Sequence, residues 1–139
     1  MVNLGAHSRL ISAQQFGTNI EKQVYNDLLK AGWSKDDLQI NPGLYSVDLK
    51  AGKWVPDIAL FDGDNWIGSV EIKSDFSNID SHWISKMREV LNEAKVPCLI
   101  FSTGFYYEVH FTHKPIVKKL QEAPSKDMLL SILNGKECD

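Results

Sequence analysis

The sequence predicts an α/β fold, a mixed central sheet with helices on its flanks. Two segments repeat apolar residues at helical spacing, and two strand-like segments meet at a glycine turn. A short apolar run then follows a helical stretch, the order of a parallel crossover. With 139 residues, 43% of them hydrophobic, the chain can bury a core of its own. One domain is expected over 1–139, its core at about 12–112 and C-terminal helices at 113–135.

Ser12-Ala-Gln-Gln15 has the capping-box form, and Phe16, Ile20, Val24 and Leu28 recur at helical spacing until Gly32 ends the first helix. Leu38–Ile40 and Leu44–Leu49 read as extended, and residues 50–53 as a turn. Trp54–Phe61 and Trp66–Lys73 read as strands joined by Asp62-Gly63-Asp64, a strong hairpin signal. Ile79, Trp83, Met87, Val90, Leu91 and Ala94 form the apolar stripe of a second helix. Pro97–Phe101 has the pattern of a strand covered on both faces. In Phe105–Thr112, Phe105, Tyr107, Val109 and Phe111 alternate with more polar residues, as in a strand. A helix beginning near Pro115 and another after Ser125, ending at Asn134-Gly135, complete the order α-β-β-β-α-β-β-α-α.

Charge and composition exclude several classes. Lys and Arg number 15 against 18 Asp and Glu, a net charge of −3, and only Arg9 and Arg88 are arginine. Charge-driven coating of nucleic acid is therefore not expected, and a polyanion would have to be met by a local patch. Apolar runs such as Cys98–Phe101 fall far short of the about 20 residues that a bilayer span requires. The opening residues carry no basic segment followed by an apolar one, so no membrane association or export is expected. Cys98 and Cys138 form neither a CxxC pair nor a secreted disulfide framework, and a cytoplasmic location is the expectation.

The chemistry concentrates in the central hairpin. Pro56-Asp57 precedes Glu71-Ile72-Lys73, with thirteen residues between the two acids. Glu71 and Lys73 are two apart on a strand and so project from one face, whereas Val70 and Ile72 point to the other. The hairpin brings Asp57 opposite the end that holds them. Neighbouring carboxylates beside a partly covered lysine are costly unless a cation resolves the charge. Mg²⁺ favours one or two carboxylates with phosphate and water oxygens, and the Ile72 backbone carbonyl offers one more.

These residues resemble the motif of the PD-(D/E)XK nuclease superfamily, with Pro56-Asp57 as its first half and Glu71-Ile72-Lys73 as its second. The resemblance extends over about residues 12–112, including a preceding helix with an acid, Glu21, and the strand–helix–strand after the lysine. It implies a restriction-endonuclease-like αβββαβ core and a Mg²⁺-dependent endonuclease, with Mn²⁺ able to substitute. Asp57 and Glu71 would be metal ligands, Lys73 the water-orienting or charge-stabilising residue, and Glu21 an auxiliary ligand or hydrogen-bonding partner. Leu99-Ile-Phe-Ser-Thr-Gly-Phe-Tyr-Tyr is similar to a segment of type I restriction subunits. Gly17-Thr-Asn-Ile-Glu21 with Gly32-Trp33 is similar to archaeal Holliday-junction resolvases. The expected substrate is DNA, cut with structural or weak sequence preference, by a homodimer or with a DNA-binding or helicase partner.

Each residue also has a plainer reading. Asp57 could cap a turn, Glu71 and Lys73 could be a solvated strand pair, and Glu21 could mark the wet flank of its helix. His82 and Lys86, one turn apart on the second helix, could reach a phosphate or only line a solvated face. Lys114, Lys118 and Lys119 could touch phosphates from the helix after Pro115 or only solubilise it. Glu108, His110 and His113 lack the pairing of a zinc site. The competing expectation for the whole chain is a non-catalytic or partner-dependent nucleic-acid-binding module that keeps the nuclease fold.

Overall fold

The computed structural model describes residues 19–40, 47–49, 52–54, 56–73 and 81–135. Helix α1 (Asn19–Lys30) is followed by a 3₁₀ turn (Lys35–Asp37) and strands β1 (Leu38–Ile40), β2 (Val47–Leu49), β3 (Gly52–Trp54), β4 (Ile58–Asp62) and β5 (Asn65–Ile72). Helix α2 (Ser81–Glu93), strands β6 (Cys98–Ser102), β7 (Tyr107–Phe111) and β8 (Val117–Leu120), and helix α3 (Lys126–Leu133) complete it. Six strands form one mixed sheet in the order β1-β4-β5-β6-β7-β8, while β2 and β3 pair as a separate hairpin. Strand β5 runs parallel to β6, with α2 as the crossover, and the other pairs are antiparallel.

Strand alternation assigns the two faces. Ile58, Val70, Ile100 and Val109 stand in one cross-strand row. They pack with Val24, Tyr25 and Leu28 of α1 and Leu129 and Ile132 of α3. Leu99 and Phe101 point the other way, into a second cluster with Met87 and Leu91 of α2 and Val96. All five residues of β6 are buried, as its unbroken apolar run requires of a strand covered on both faces. Cys98 is a free thiol there, and burial pushes it up to about 12, which keeps it unreactive. Among the described residues no helix is long and apolar enough to cross a membrane.

Several expectations change. Residues 54–61 do not form one strand: Trp54 ends β3 in the small hairpin, and β4 begins at Ile58. Pro56 stands between them, with no N–H to give a ladder. Gly52 and Lys53, read as turn, pair with Leu49 and Asp48. The helix expected near Pro115 is instead strand β8, so the segment 113–135 holds one strand and one helix rather than two helices. Its partner is the otherwise open edge of β7, and edge pairing satisfies backbone groups that local propensity does not register. The strand expected from Phe105 begins at Tyr107, because residues 103–106 form a turn. The capping box at Ser12, Phe16, the segment 44–46 and Ile79 lie outside the described residues.

Candidate metal and phosphate site

Asp57 Oδ2 accepts a hydrogen bond from Ile72 N at 2.8 Å. The register explains it. Ile58 pairs with Val70, so continuing the ladder would set Asp57 against Glu71 and Pro56 against Ile72. The ladder stops at Ile58, and the Asp57 carboxylate accepts from the Ile72 amide in place of the backbone carbonyl that a further ladder pair would have offered. The first half of the motif is thereby tied to the middle residue of the second. The Ile72 carbonyl points to the same strand edge as its N–H, where Pro56 offers it no donor.

On the other edge of β5, Lys73 N donates to Ser102 O at 2.9 Å, extending the parallel pairing by one residue. Glu71 stands in register with Phe101, whose ring lies 5.4 Å from that of Trp83 on α2. The Lys73 ammonium sits 5.4 Å from the Trp83 ring centroid, a cation–π contact. Glu71 and Lys73 therefore share the face covered by α2, Glu71 at 5% exposure and Lys73 partly exposed. A buried carboxylate on a covered strand is not the solvated pair of an open sheet. Trp83 is partly buried, a wall of the core and a platform for Lys73.

Two carboxylates and a main-chain carbonyl are the oxygen donors that Mg²⁺ favours, so the residues present fit a hard divalent cation. Asp57 would offer Oδ1, since Oδ2 holds the Ile72 amide. Among the described residues no three His, Cys, Asp or Glu side chains gather as a metal-binding group. Glu21 thus does not join Asp57 and Glu71 in such a group. Its helix packs on the opposite face of the sheet, and Glu21 itself is partly buried near that helix's first turn.

The other expected residues are dispersed. His82 and Lys86 are exposed on α2. Lys114 is in a turn, where its Nζ donates to Ile132 O at 3.0 Å and so caps the end of α3. Its own carbonyl, with that of Phe111, accepts from Arg88 Nη2, both at 2.8 Å. Lys118 and Lys119 are neighbours on β8 and so point to opposite faces, Lys119 opposite Glu108. They form no helical basic stripe with Lys114, because the helix that would align them is a strand. His110 Nε2 lies 2.8 Å from Glu108 Oε1, and burial, opposed by Glu108, lowers its tendency to take up a proton.

Two polar residues were missed from the sequence. Gln39 and Ser69 flank Ala59 in one cross-strand row, one row in from Asp57 and Glu71 on the same face. Both are buried, and the Gln39 amide and Ser69 hydroxyl make no hydrogen bond among the described residues. Their signal was available: Gln39 interrupts an apolar triplet, and Ser69, Glu71 and Lys73 alternate along one strand. A cavity of about 850 Å³ lined by Asp27, Lys30, Leu120, Pro124 and Met128 lies by α1 and α3, across the sheet from the acid pair.

No family model matches the sequence, and no curated protein matches it. Among solved structures, the chain is similar to a fragment of a candidate HsdR subunit of a type I restriction enzyme from Vibrio vulnificus YJ016. The TM-score is 0.62 at 15% identity, over 88% of this chain and 26% of that one. The fold is restriction-endonuclease-like. The likeness is one of fold, and the chain spans about a quarter of the length of that structure.

Proposed function

We propose that the chain is a PD-(D/E)XK nuclease domain that hydrolyses DNA phosphodiester bonds with Mg²⁺. The observation that carries this reading is the hydrogen bond from Ile72 N to Asp57, which joins the two halves of the motif. A fold shared with a restriction-enzyme fragment supports it. Asp57, Glu71 and the Ile72 carbonyl would hold the ion, which when bound polarises the phosphodiester as a Lewis acid. Asp57 and Glu71 bring negative charge that excludes a bare phosphate and accepts one only with a cation. The Lys73 ammonium offsets charge that develops on the phosphate oxygens as water attacks in line. The Trp83 ring restricts the Lys73 side chain, so less of its rotamer freedom is lost when it meets the phosphate. With few arginines, sequence readout is weak, and double-strand cleavage would call for a second copy or a partner.

The test is cleavage of supercoiled plasmid, single-stranded, flapped and four-way-junction DNA in Mg²⁺, Mn²⁺ or EDTA, with Lys73→Ala alongside. Cutting that needs metal and falls at least about 100-fold in Lys73→Ala is expected, the size of losing one charged transition-state contact. Cutting unchanged in EDTA or in Lys73→Ala would refute the assignment. Absence of cutting on every substrate would favour the non-catalytic module.

A further inference from the structure

Phe105 is 77% exposed, yet the alternation of Phe105, Tyr107, Val109 and Phe111 would have buried it. The exposure comes from a built turn rather than from a frayed strand end. Gly104 adopts φ +96°, a conformation that side chains disfavour, and reverses the chain just before Phe105. Its N–H donates to Ser102 Oγ at 3.0 Å, and Thr103 N donates to Tyr106 O at 3.3 Å. Gln23 of α1 donates from Nε2 to Gly104 O at 2.6 Å, and a Cβ on Gly104 would come within 3.3 Å of Ile20 Cγ2. The turn is therefore clamped against α1. Tyr106, the next residue, is partly buried. Phe105 alone is presented outward.

The turn's place gives this ring a use. Ser102, whose carbonyl accepts from Lys73 N, is the residue immediately before the turn, so Phe105 leaves the sheet at the end where Glu71 and Lys73 arrive. A strand whose phosphate is held at that end would pass its bases by this turn. Positive charge is scarce, so affinity must draw on contacts other than phosphate neutralisation. An aromatic face is such a contact. It stacks on any base, and a ring with two rotatable bonds on a fixed turn loses little freedom when it does so.

We infer that Phe105 stacks on an unpaired base of a DNA strand held at the Asp57–Glu71–Lys73 end of the sheet, so that the domain selects DNA with single-stranded character. The inference rests on the nuclease reading and names its substrate class. A paired base in a duplex presents no free face, and the discrimination follows from that.

The experiment compares the full chain with Phe105→Ala and Phe105→Trp by fluorescence anisotropy. The probes are a labelled single-stranded oligonucleotide and the same sequence as duplex, with Ca²⁺ in place of Mg²⁺ so that the strand is bound without being cut. A single-stranded probe carrying 2-aminopurine reports stacking directly. Phe105→Ala is expected to weaken single-strand binding by about 10-fold or more, the loss of one base–aromatic stack, and to abolish 2-aminopurine quenching. Duplex binding should change less than about 2-fold, Phe105→Trp should retain both signals, and thermal unfolding should not move because the side chain is exposed. Equal single-strand affinity in Phe105→Ala, or an equal loss on duplex, would overturn the inference while leaving DNA binding intact. No binding of any DNA by the parent chain would overturn the nuclease reading and this inference with it.

Discussion

Replacing Asp57 separates its two jobs. In Asp57→Ala the Ile72 N–H loses a charged acceptor, at a site that is only partly buried and so open to some water. The cost is about 1–2 kcal/mol, the lower part of the range for a donor left unmet. In a domain of this size that lowers Tm by about 3–8 °C. Asp57→Asn keeps an amide oxygen to accept from Ile72 N while removing one of two facing negative charges. Like charges opposite each other across strands cost up to about 1 kcal/mol, so in EDTA the asparagine variant should equal or exceed the wild type. Mg²⁺ reverses the order. At ten times its Kd the ion adds about 1.4 kcal/mol to the wild type, about 4–6 °C, and nothing to Asp57→Asn. The assay is differential scanning fluorimetry of the three proteins in EDTA and across a Mg²⁺ titration. Equal Tm values for the alanine and asparagine variants in EDTA would refute the structural role. An undiminished Mg²⁺ shift in Asp57→Asn would refute the metal site.

Two other perturbations probe the surroundings. A Cβ on Gly68 would meet Leu60 Cδ1 at 3.2 Å and Cys98 Cβ at 3.3 Å, so Gly68→Ala should cost about 1–3 kcal/mol in urea unfolding with an unchanged slope; a neutral effect would mean that β5 and β6 can separate there. Burial disfavours the charged form of His110, against Glu108 and with Arg88 and Lys119, so its folded-state pKa lies below the unfolded value. The unfolded chain then binds the extra proton, and stability should be full above about pH 6.5 and fall as pH drops toward the folded-state value. Urea melts from pH 8 to pH 5 on the wild type and His110→Asn check this, and an identical slope in both would assign the loss to other groups.

The amino-acid sequence alone determined the sheet's centre and the acids it carries. The Asp62-Gly63-Asp64 turn fixes the β4–β5 hairpin, period-2 alternation puts Glu71 and Lys73 on one face, and the apolar run of β6 announces a strand covered twice. These are local signals, written in neighbours along the chain. The tertiary structure decided what depends on distant partners. Pro56-Asp57 reads as a strand start, but only the register against β5 sets the Asp57 carboxylate on the Ile72 N–H. Val117–Leu120 spells a helix turn as well as a strand, and the open edge of β7 chose the strand, scattering the lysines that a helix would have aligned. Glu21 follows the motif's order along the chain, yet α1 packs across the sheet from the acid pair. Phe105 keeps the alternation of a buried row, and the docking of Gly104 on α1 turns it out to solvent. Periodicity records which residues share a face, whereas the partner that covers the face, or leaves it bare, is set by contacts many residues away.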